Sequence, residues 1–521
     1  MSDIVLTTLN AKYIHAAFGL RYLLANLGPL RPRGCILEFD INQRPVDIAE
    51  ALLSREPKII GLGVYIWNVA PATELVSILK RVRPDLTVVL GGPEVSYEFD
   101  GQPIAQLADH IITGEADLMF AEVCGQLLSG ATPPKVIPAE PPEFTRLVLP
   151  YDLYNDADIA HRIIYVEASR GCPFSCEFCL SSLDVPVRQA PLPALLGHLE
   201  RLLARGVKQF KFVDRTFNLN VNVSRAILEF CLAHYQPGRF FHFEMVPDRL
   251  PEALRAVIAQ FPPGALQFEV GIQTFNEAVG ALIHRRQNYQ RLEENLSFLR
   301  RHTGVHIHAD LIAGLPGEDL ESFAAGFDRL ISLAPHEIQV GILKRLRGTP
   351  IGRHDAEWQM VYNPYPPYEI LQTKLIGLGQ MQKLRRFTRY CDLVGNSGNF
   401  VESAPLIWAH GDSPFAAFMR WSDWLHARVG RTDGIALVRL MALLFEFLTN
   451  ELKLDSRQTA ALLWRDYQRG GRHDKPTFLK DFLTADAAPG LLRAAPRARL
   501  KRQARHSGQL AQAPNRANLP A

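Results

Sequence analysis

Three thiols stand at spacings of four and three in Cys172-Pro-Phe-Ser-Cys176-Glu-Phe-Cys179. Ile163–Ala168 reads as a buried strand just before them, and Arg170-Gly171 lets the chain turn. Three thiolates on one short loop can hold three irons of a cubic [4Fe–4S] cluster and leave the fourth iron without a protein ligand, where a small molecule can chelate. A structural zinc site is the alternative chemistry. Zinc prefers four protein ligands in separated Cys-x2-Cys pairs, and no second pair follows. Three unrelated core thiols are the remaining reading.

The elements that must position this loop follow it in a βα rhythm. Strands are expected at Ile163–Ala168, Gln209–Val213, Phe240–Met245, Leu266–Ile272, His306–Ile312 and Glu337–Leu343, with amphipathic helices between them. In parallel βα barrels chemistry collects at strand C-termini and on inward residues. Period two puts Gln267, Glu269, Gly271 and Gln273 on one face of the fourth strand, and His306, His308 and Asp310 on one face of the fifth. Buried there, such groups need ligand, water or one another. His308 is a candidate substrate-side acid or base. Asp214 ends the second strand and Glu244 lies in the third.

Upstream, strands at Ile4–Thr8, Cys35–Phe39, Ile59–Val64, Thr87–Leu90 and His110–Ile112 alternate with helices, the pattern of a flavodoxin-like doubly wound parallel sheet. Its ligand edge is the C-terminal ends of the strands. There lie His15, the Gly91-Gly92-Pro93 loop and the Gly114-Glu115 turn. Glycine pairs let backbone approach a ligand closely.

Cys-x3-Cys-x2-Cys with an aromatic residue before the last Cys, Phe178, resembles the radical S-adenosyl-L-methionine (SAM) enzymes. The resemblance implies a [4Fe–4S] cluster on Cys172, Cys176 and Cys179, SAM at the open iron, and a 5′-deoxyadenosyl radical on one-electron reduction. It implies SAM contacts from Asp214, Glu269, Gln273 and the Leu311–Gly317 run that includes Gly314. Together with the upstream sheet, the arrangement is similar to cobalamin-binding radical SAM proteins. Gly91, Gly92, Pro93, Gly114 and Glu115 then lie beside the corrinoid's nucleotide tail. The Asp-x-His-x-x-Gly sequence that supplies a cobalt-ligating His elsewhere is absent, so cobalamin held without a His is expected, with His15 as the candidate if one is used. What the resemblance implies is methylation of an unactivated carbon. Other outcomes are radical cyclisation or rearrangement, a cobalamin-independent radical SAM reaction, or a corrinoid or iron–sulfur sensor that does no chemistry. A reducing partner such as flavodoxin or ferredoxin and an unknown substrate are implied as well. A methylthiotransferase would need a second cluster, and the other four cysteines form no group.

Length and composition set the frame. The 521 residues are enough for about three domains. A net charge of +3 selects no acidic partner. Seven cysteines without a disulfide pattern suit a reducing compartment, and no signal-peptide layout or bilayer-length apolar run is seen; a cytoplasmic protein is expected. The domains are expected at 1–130 (cobalamin-binding sheet), 131–160 (a linker whose prolines forbid regular structure), 161–350 (a (βα)6 partial TIM barrel), 351–493 (an α-helical C-terminal domain) and 494–521 (a basic, disordered tail). In the fourth, helices are expected at Glu369–Leu384, Pro414–Val429, Asp433–Glu451 and Arg457–Tyr467 after a turn-rich hinge at Tyr362–Tyr368. Nucleic acid is a weak possibility raised only by the tail's Arg and Lys residues.

Overall fold

Strand β1 (Ile4–Asn10) is buried along its whole length because it has neighbours on both edges and helices on both faces. Its side chains alternate between two cores. Val5 and Leu9 pack with Ile48, Leu75 and Ile104, while Ile4 and Leu6 pack with Leu20, Phe120 and Val123. The computed structural model describes residues 2–184, 186–409, 411, 413–483 and 502–507. The chain divides into two compact units: Met1–Val246 with Ile283–Arg285 and Lys344–Ile370, and the remaining segments.

In the first unit, β1, β2 (Gly34–Asp40), β3 (Ile59–Gly63), β4 (Thr87–Gly91), β5 (His110–Gly114) and β6 (Val136–Ala139) form one parallel sheet in the order β2-β1-β3-β4-β5-β6. Helices α2 (Pro45–Leu53), α3 (Val69–Val82) and α5 (Pro103–Leu107) cover one face, and α1 (Phe18–Ala25) and α6 (Met119–Leu128) the other. The short α4 (Pro93–Ser96) follows β4. This is the expected doubly wound sheet, one strand larger. The stretch 131–160 is not an unstructured linker: β6 pairs with β5 in parallel, and α7 (Asp156–His161) follows. Pro138 is tolerated because β6 is the edge strand, where a missing N–H breaks no ladder.

The same unit continues with β7 (Ile164–Val166), β10 (Gln209–Phe212) and β11 (Phe240–Met245), all parallel, joined through α8 (Leu192–Ala204) and α9 (Val221–Ala233). Two short strands, β8 (Ser169–Arg170) and β9 (Arg188–Gln189), pair antiparallel at the base of the three-cysteine loop.

The second unit holds α10 (Glu252–Ile258), β12 (Leu266–Gln273), α11 (Glu277–Leu282), α12 (Tyr289–His302), β13 (His306–Ala313), α13 (Leu320–Ser332) and β14 (Glu337–Ile342), with β12, β13 and β14 parallel. Helices α14 (Leu378–Tyr390), α15 (Pro414–Val429), α16 (Leu437–Glu446) and α17 (Ser456–Arg469) follow. Phe327 of α13 packs edge-on to Phe387 of α14 and Phe415 of α15. Asp328 accepts hydrogen bonds from the Ser413 hydroxyl and the Phe415 N–H at the start of α15. The second half of the expected barrel therefore shares its compact unit with the helical region, and the expected boundary at 350 is not where the units part.

Three further expectations need correction. The region expected to be α-helical at 351–493 is not free of strands: Val361–Tyr362 and Ile370–Gln372 are short strands either side of the turn-rich segment. The helix expected at Glu369–Leu384 begins only at Leu378 and runs to Tyr390, because Gly377 and the Thr373 turn precede it. The basic tail is not wholly disordered: Arg502–Ser507 is a short helix, α18, while 494–501 and 508–521 lie outside the described residues. No helix among the described residues is long and apolar enough to cross a membrane.

Candidate functional site

The three-cysteine loop is held from both ends and from its middle. At its entry Gly171 adopts φ +86, and a Cβ there would lie 2.8 Å from the Asp184 carbonyl oxygen and 2.9 Å from that of Pro186, so only glycine fits. The Cys172 N–H donates to the Asp184 carbonyl at 3.0 Å. In the middle, Glu177 is fully buried. Its N–H donates to the Ile283 carbonyl and its carbonyl accepts from the Ile351 N–H, both at 3.1 Å. Its carboxylate meets His354 Nε2 at 2.7 Å, His284 Nδ1 at 3.3 Å and the Arg353 guanidinium. Arg285 donates to the Cys176 Sγ at 3.7 Å. All three thiols are free, Cys176 buried and the other two partly exposed.

Asp214 does not stand open at its strand end. Its carboxylate accepts the Ala168 N–H at 2.9 Å and the Ser169 hydroxyl at 2.6 Å, so it braces the chain leading into the loop. Burial pushes its carboxyl up to about 7, with the Ser169 and Ala168 donors opposing. It lines a pocket with Ala168, Ser169, Gln189, Thr216 and Asn220. The Thr216 hydroxyl lies 4.0 Å from the Cys172 Sγ. Glu244 faces Arg215 at 3.6 Å and Lys211 at 4.0 Å.

Arg170 is the residue that sequence reasoning missed. It stands two positions before Cys172, yet its guanidinium meets Glu115 and Asp117, both at 2.9 Å, and Glu167, also at 2.9 Å. The Tyr22 and Phe144 rings cover it. Its acidic partners Glu115 and Asp117 are more than 50 positions away in sequence, so no local pattern announces them. Glu115, expected beside a corrinoid tail, is engaged by Arg170 and Arg188.

At the C-terminal edge of the first sheet, Gly92 has φ +103, and a Cβ there would lie 2.5 Å from the Val64 carbonyl oxygen. The fold itself therefore requires glycine at 92. Gly91 is different, since a Cβ there would meet nothing nearer than the Ile112 carbonyl oxygen at 3.8 Å. Gly114 has φ +78 and packs on the Ala139 carbonyl. Pro93 opens α4, and Glu94 behind it is buried with Arg347 Nε at 2.9 Å and the Tyr368 hydroxyl at 2.6 Å. His15 Nδ1 is 2.6 Å from the Tyr165 hydroxyl, which leaves the Nε2 side as its only approach to a metal. Tyr13, Ile14, Trp67 and Tyr97 are exposed along this edge, and Trp67 stacks on Tyr65 with ring centroids 4.5 Å apart.

In the second unit, Glu269, Gly271 and Gln273 alternate with the buried Phe268, Val270 and Ile272, as period two requires. Gln273 adopts φ +74 where the β12–β13 register shifts. Gly314 has φ +89 at the turn after β13. His308 Nε2 lies 3.5 Å from the Asp310 carboxylate. His306, on the same face, is buried at the start of β13, 2.8 Å from Glu337.

Residues 4–124 match the B12 binding domain family, and residues 166–330 the Radical SAM superfamily. This is a radical SAM protein with a B12-binding domain. Its residues 356–515 match a protein family of unknown function, DUF4080. A cobalamin-dependent radical SAM methyltransferase, TokK of Streptomyces tokunonensis, is 24% identical over 332 residues, 55% of this chain and 47% of that protein. The ribosomal protein uS12 methylthiotransferase RimO of Pelobacter propionicus is 29% identical over 182 residues, 32% of this chain and 40% of that protein. The chain thus spans under half the length of these curated relatives. The solved structure of the cobalamin-dependent SAM radical enzyme OxsB with aqua-cobalamin bound covers 89% of this chain and 78% of its own, at a TM-score of 0.61 and 13% identity.

The radical SAM domain implies a [4Fe–4S] cluster and SAM, and the B12-binding domain implies cobalamin. The residues present fit both. The radical SAM protein carries three free thiols on a loop pinned at both ends, and an exposed aromatic edge bordered by glycines on its B12-binding sheet. The other four cysteines lie in β2, α6, α9 and just after α14, separate from one another in the chain.

Proposed function

We propose that this protein is a cobalamin-dependent radical SAM enzyme that methylates an unactivated carbon. The observation that carries the proposal is Arg170, which ties the chain entering the cysteine loop to the β5 end of the B12-binding sheet within one compact unit. An enzyme that uses both cofactors on one substrate needs that rigidity, because misplacement by about 1 Å is enough to lose a hundredfold in rate.

Cys172, Cys176 and Cys179 would hold the cluster. Gly91, Gly92, Pro93, Gly114 and the Tyr65–Trp67 pair would line the corrinoid site. Bound there, the cluster with SAM supplies a 5′-deoxyadenosyl radical and the corrinoid supplies the methyl group. The protein's own residues do the positioning. Asp214 holds Ala168 and Ser169, and Glu177 holds the middle of the loop. Arg285 places a cation against Cys176, and a cationic donor suits a thiolate ligand. Glu269, Gln273 and Gly314 are the SAM-facing candidates of the second unit. His308, steadied by Asp310, is the candidate group for moving a substrate proton. Seven free thiols suit a reducing, cytoplasmic setting with a small electron-donor protein.

The test is anaerobic reconstitution with iron, sulfide, hydroxocobalamin, SAM and reductant, followed by mass analysis against cell extract. Deoxyadenosine and S-adenosylhomocysteine in equal yield, with a product heavier by one methylene, are expected, and Cys172→Ala should abolish both. Deoxyadenosine without S-adenosylhomocysteine would replace methylation by cyclisation or rearrangement. No corrinoid uptake at micromolar concentration would remove the cobalamin reading.

A further inference from the structure

Gln273 sits in a conformation that a non-glycine residue rarely keeps. Its φ is +74, and the Thr274 N–H donates back to the Ile272 carbonyl at 3.0 Å. That pairing around a positive φ is the γ-turn of higher strain. Strain of this size persists only where the surroundings over-determine it. Here they do. The Ile272 carbonyl also accepts from Gln287 Nε2 at 2.7 Å, and the Thr274 carbonyl accepts from the Tyr289 hydroxyl at 3.0 Å. The Thr274 hydroxyl accepts the Asn276 N–H at 3.0 Å and donates to Glu318 Oε1 at 2.6 Å.

Glu318 is 2% exposed and directly follows the turn between Gly314 and Gly317, which have φ of +89 and +78. The Glu318 N–H donates to the Leu315 carbonyl at 3.3 Å, closing that turn. The Ser322 hydroxyl lies 3.5 Å from Glu318 Oε1 and 2.9 Å from Asn276 Nδ2. One buried carboxylate therefore joins two segments of the second unit that carry positive-φ turns at the C-terminal ends of strands.

We propose that Glu318 is a positioning residue: through Thr274 it fixes the γ-turn at Gln273 and the Gly314–Gly317 turn in one frame, so that both present a constant surface to SAM. The inference rests on the reading that Gln273 and Gly314 face SAM. Burying a carboxylate is unfavourable, and burial pushes Glu318 up to about 7 against the pull of its Thr274 and Ser322 donors. A residue used only for packing would not need a carboxylate at this place. What the place needs is an acceptor oxygen that reaches the Thr274 hydroxyl.

The test compares Thr274→Val and Glu318→Ala with the conservative Thr274→Ser and Glu318→Gln. In cofactor-free protein, amide exchange at Gln273 and Thr274 is expected to quicken by about tenfold or more in Thr274→Val and Glu318→Ala, the size expected for losing a buried hydrogen bond. In the reconstituted protein the KM for SAM, read from deoxyadenosine release, is expected to rise by about tenfold while kcat changes less than about threefold. The serine and glutamine variants should stay near wild type in both readings. Unchanged exchange in Thr274→Val and Glu318→Ala would overturn the inference, and so would quickened exchange with an unchanged KM. Wild-type uptake of SAM reports on the reading beneath. With uptake intact, the variants alone decide whether Glu318 positions the turn.

Discussion

Arg170 brings a cation into a nearly dry site and meets three carboxylates there. Burial alone would weaken the charged form of Arg170. Glu167 and Asp117 more than offset that, and its pKa is raised above the usual value. Removing one partner of such a network leaves charges uncompensated and costs about 3–5 kcal/mol. Arg170→Met should therefore lose stability on that scale and bind less iron on reconstitution. Arg170→Lys should lose less, because it keeps the charge but not the forked geometry. Denaturant melts and iron content measure both, and an Arg170→Met protein as stable as wild type would refute the assignment. At this scale the sequence was unevenly legible. The three cysteines are readable because their spacing is the chemistry. Asp214 was readable as a strand-end carboxylate, but its partners Ala168 and Ser169 were not, because a contact across 45 positions leaves no local trace. The partners of Arg170 across the chain were invisible for the same reason.

The elements were more legible than the contacts, because period and turn residues are local. Strand β11 runs over the residues expected, and β12 and β13 each run one residue further. What escaped was structure that tertiary context imposes on unpromising residues: the edge strand containing Pro138, and the γ-turn on Gln273, a residue with no intrinsic preference for positive φ. The Gly91-Gly92 pair shows how the element scale changes an experiment. Any side chain at Gly92 meets the Val64 carbonyl, so substitution there disturbs β3–β4 pairing before any ligand is considered. Gly92→Ala should destabilise the cofactor-free sheet by about 1–3 kcal/mol. Gly91→Ala should leave its stability nearly unchanged, because a Cβ there has room. If the corrinoid tail lies along this loop, Gly91→Leu should weaken hydroxocobalamin uptake by about tenfold or more while iron content is retained. Equal uptake by Gly91→Leu and wild type would move the corrinoid away from the loop.

At the scale of the whole molecule, α18 is tied to segments of its own unit that are far from it in the chain. Helix α18 places Arg502 Nε 2.9 Å from Glu337 and His506 Nε2 2.8 Å from the Asn396 carbonyl, while Arg505 donates to the Ser397 carbonyl. Gly398, with φ +68, makes room, since a Cβ there would lie 2.9 Å from that of Arg505. The His506 ring stands edge-on to His306 and His336, with Glu337 and Arg502 beside it and Arg300 against His336. Burial, His306 and Arg502 pull His506 down to about 4 from 6.5, with the Asn396 carbonyl and Glu337 opposing. A depressed histidine contributes stability that is complete above its free value and is lost as pH falls through the lowered one. Docking of α18 should therefore weaken between about pH 6.5 and 4, by at most about 3 kcal/mol from His506. Burial holds the Glu337 carboxyl above its ordinary value, with Arg502 opposing, so Glu337 does not add to this loss. Amide exchange of residues 502–507 should quicken over this pH interval in wild type. His506→Gln, which lacks the titrating ring, should flatten that dependence, and Gly398→Val should quicken exchange at every pH by removing the space the helix occupies. A pH profile for His506→Gln that overlays the wild type would show that the histidine does not set the docking.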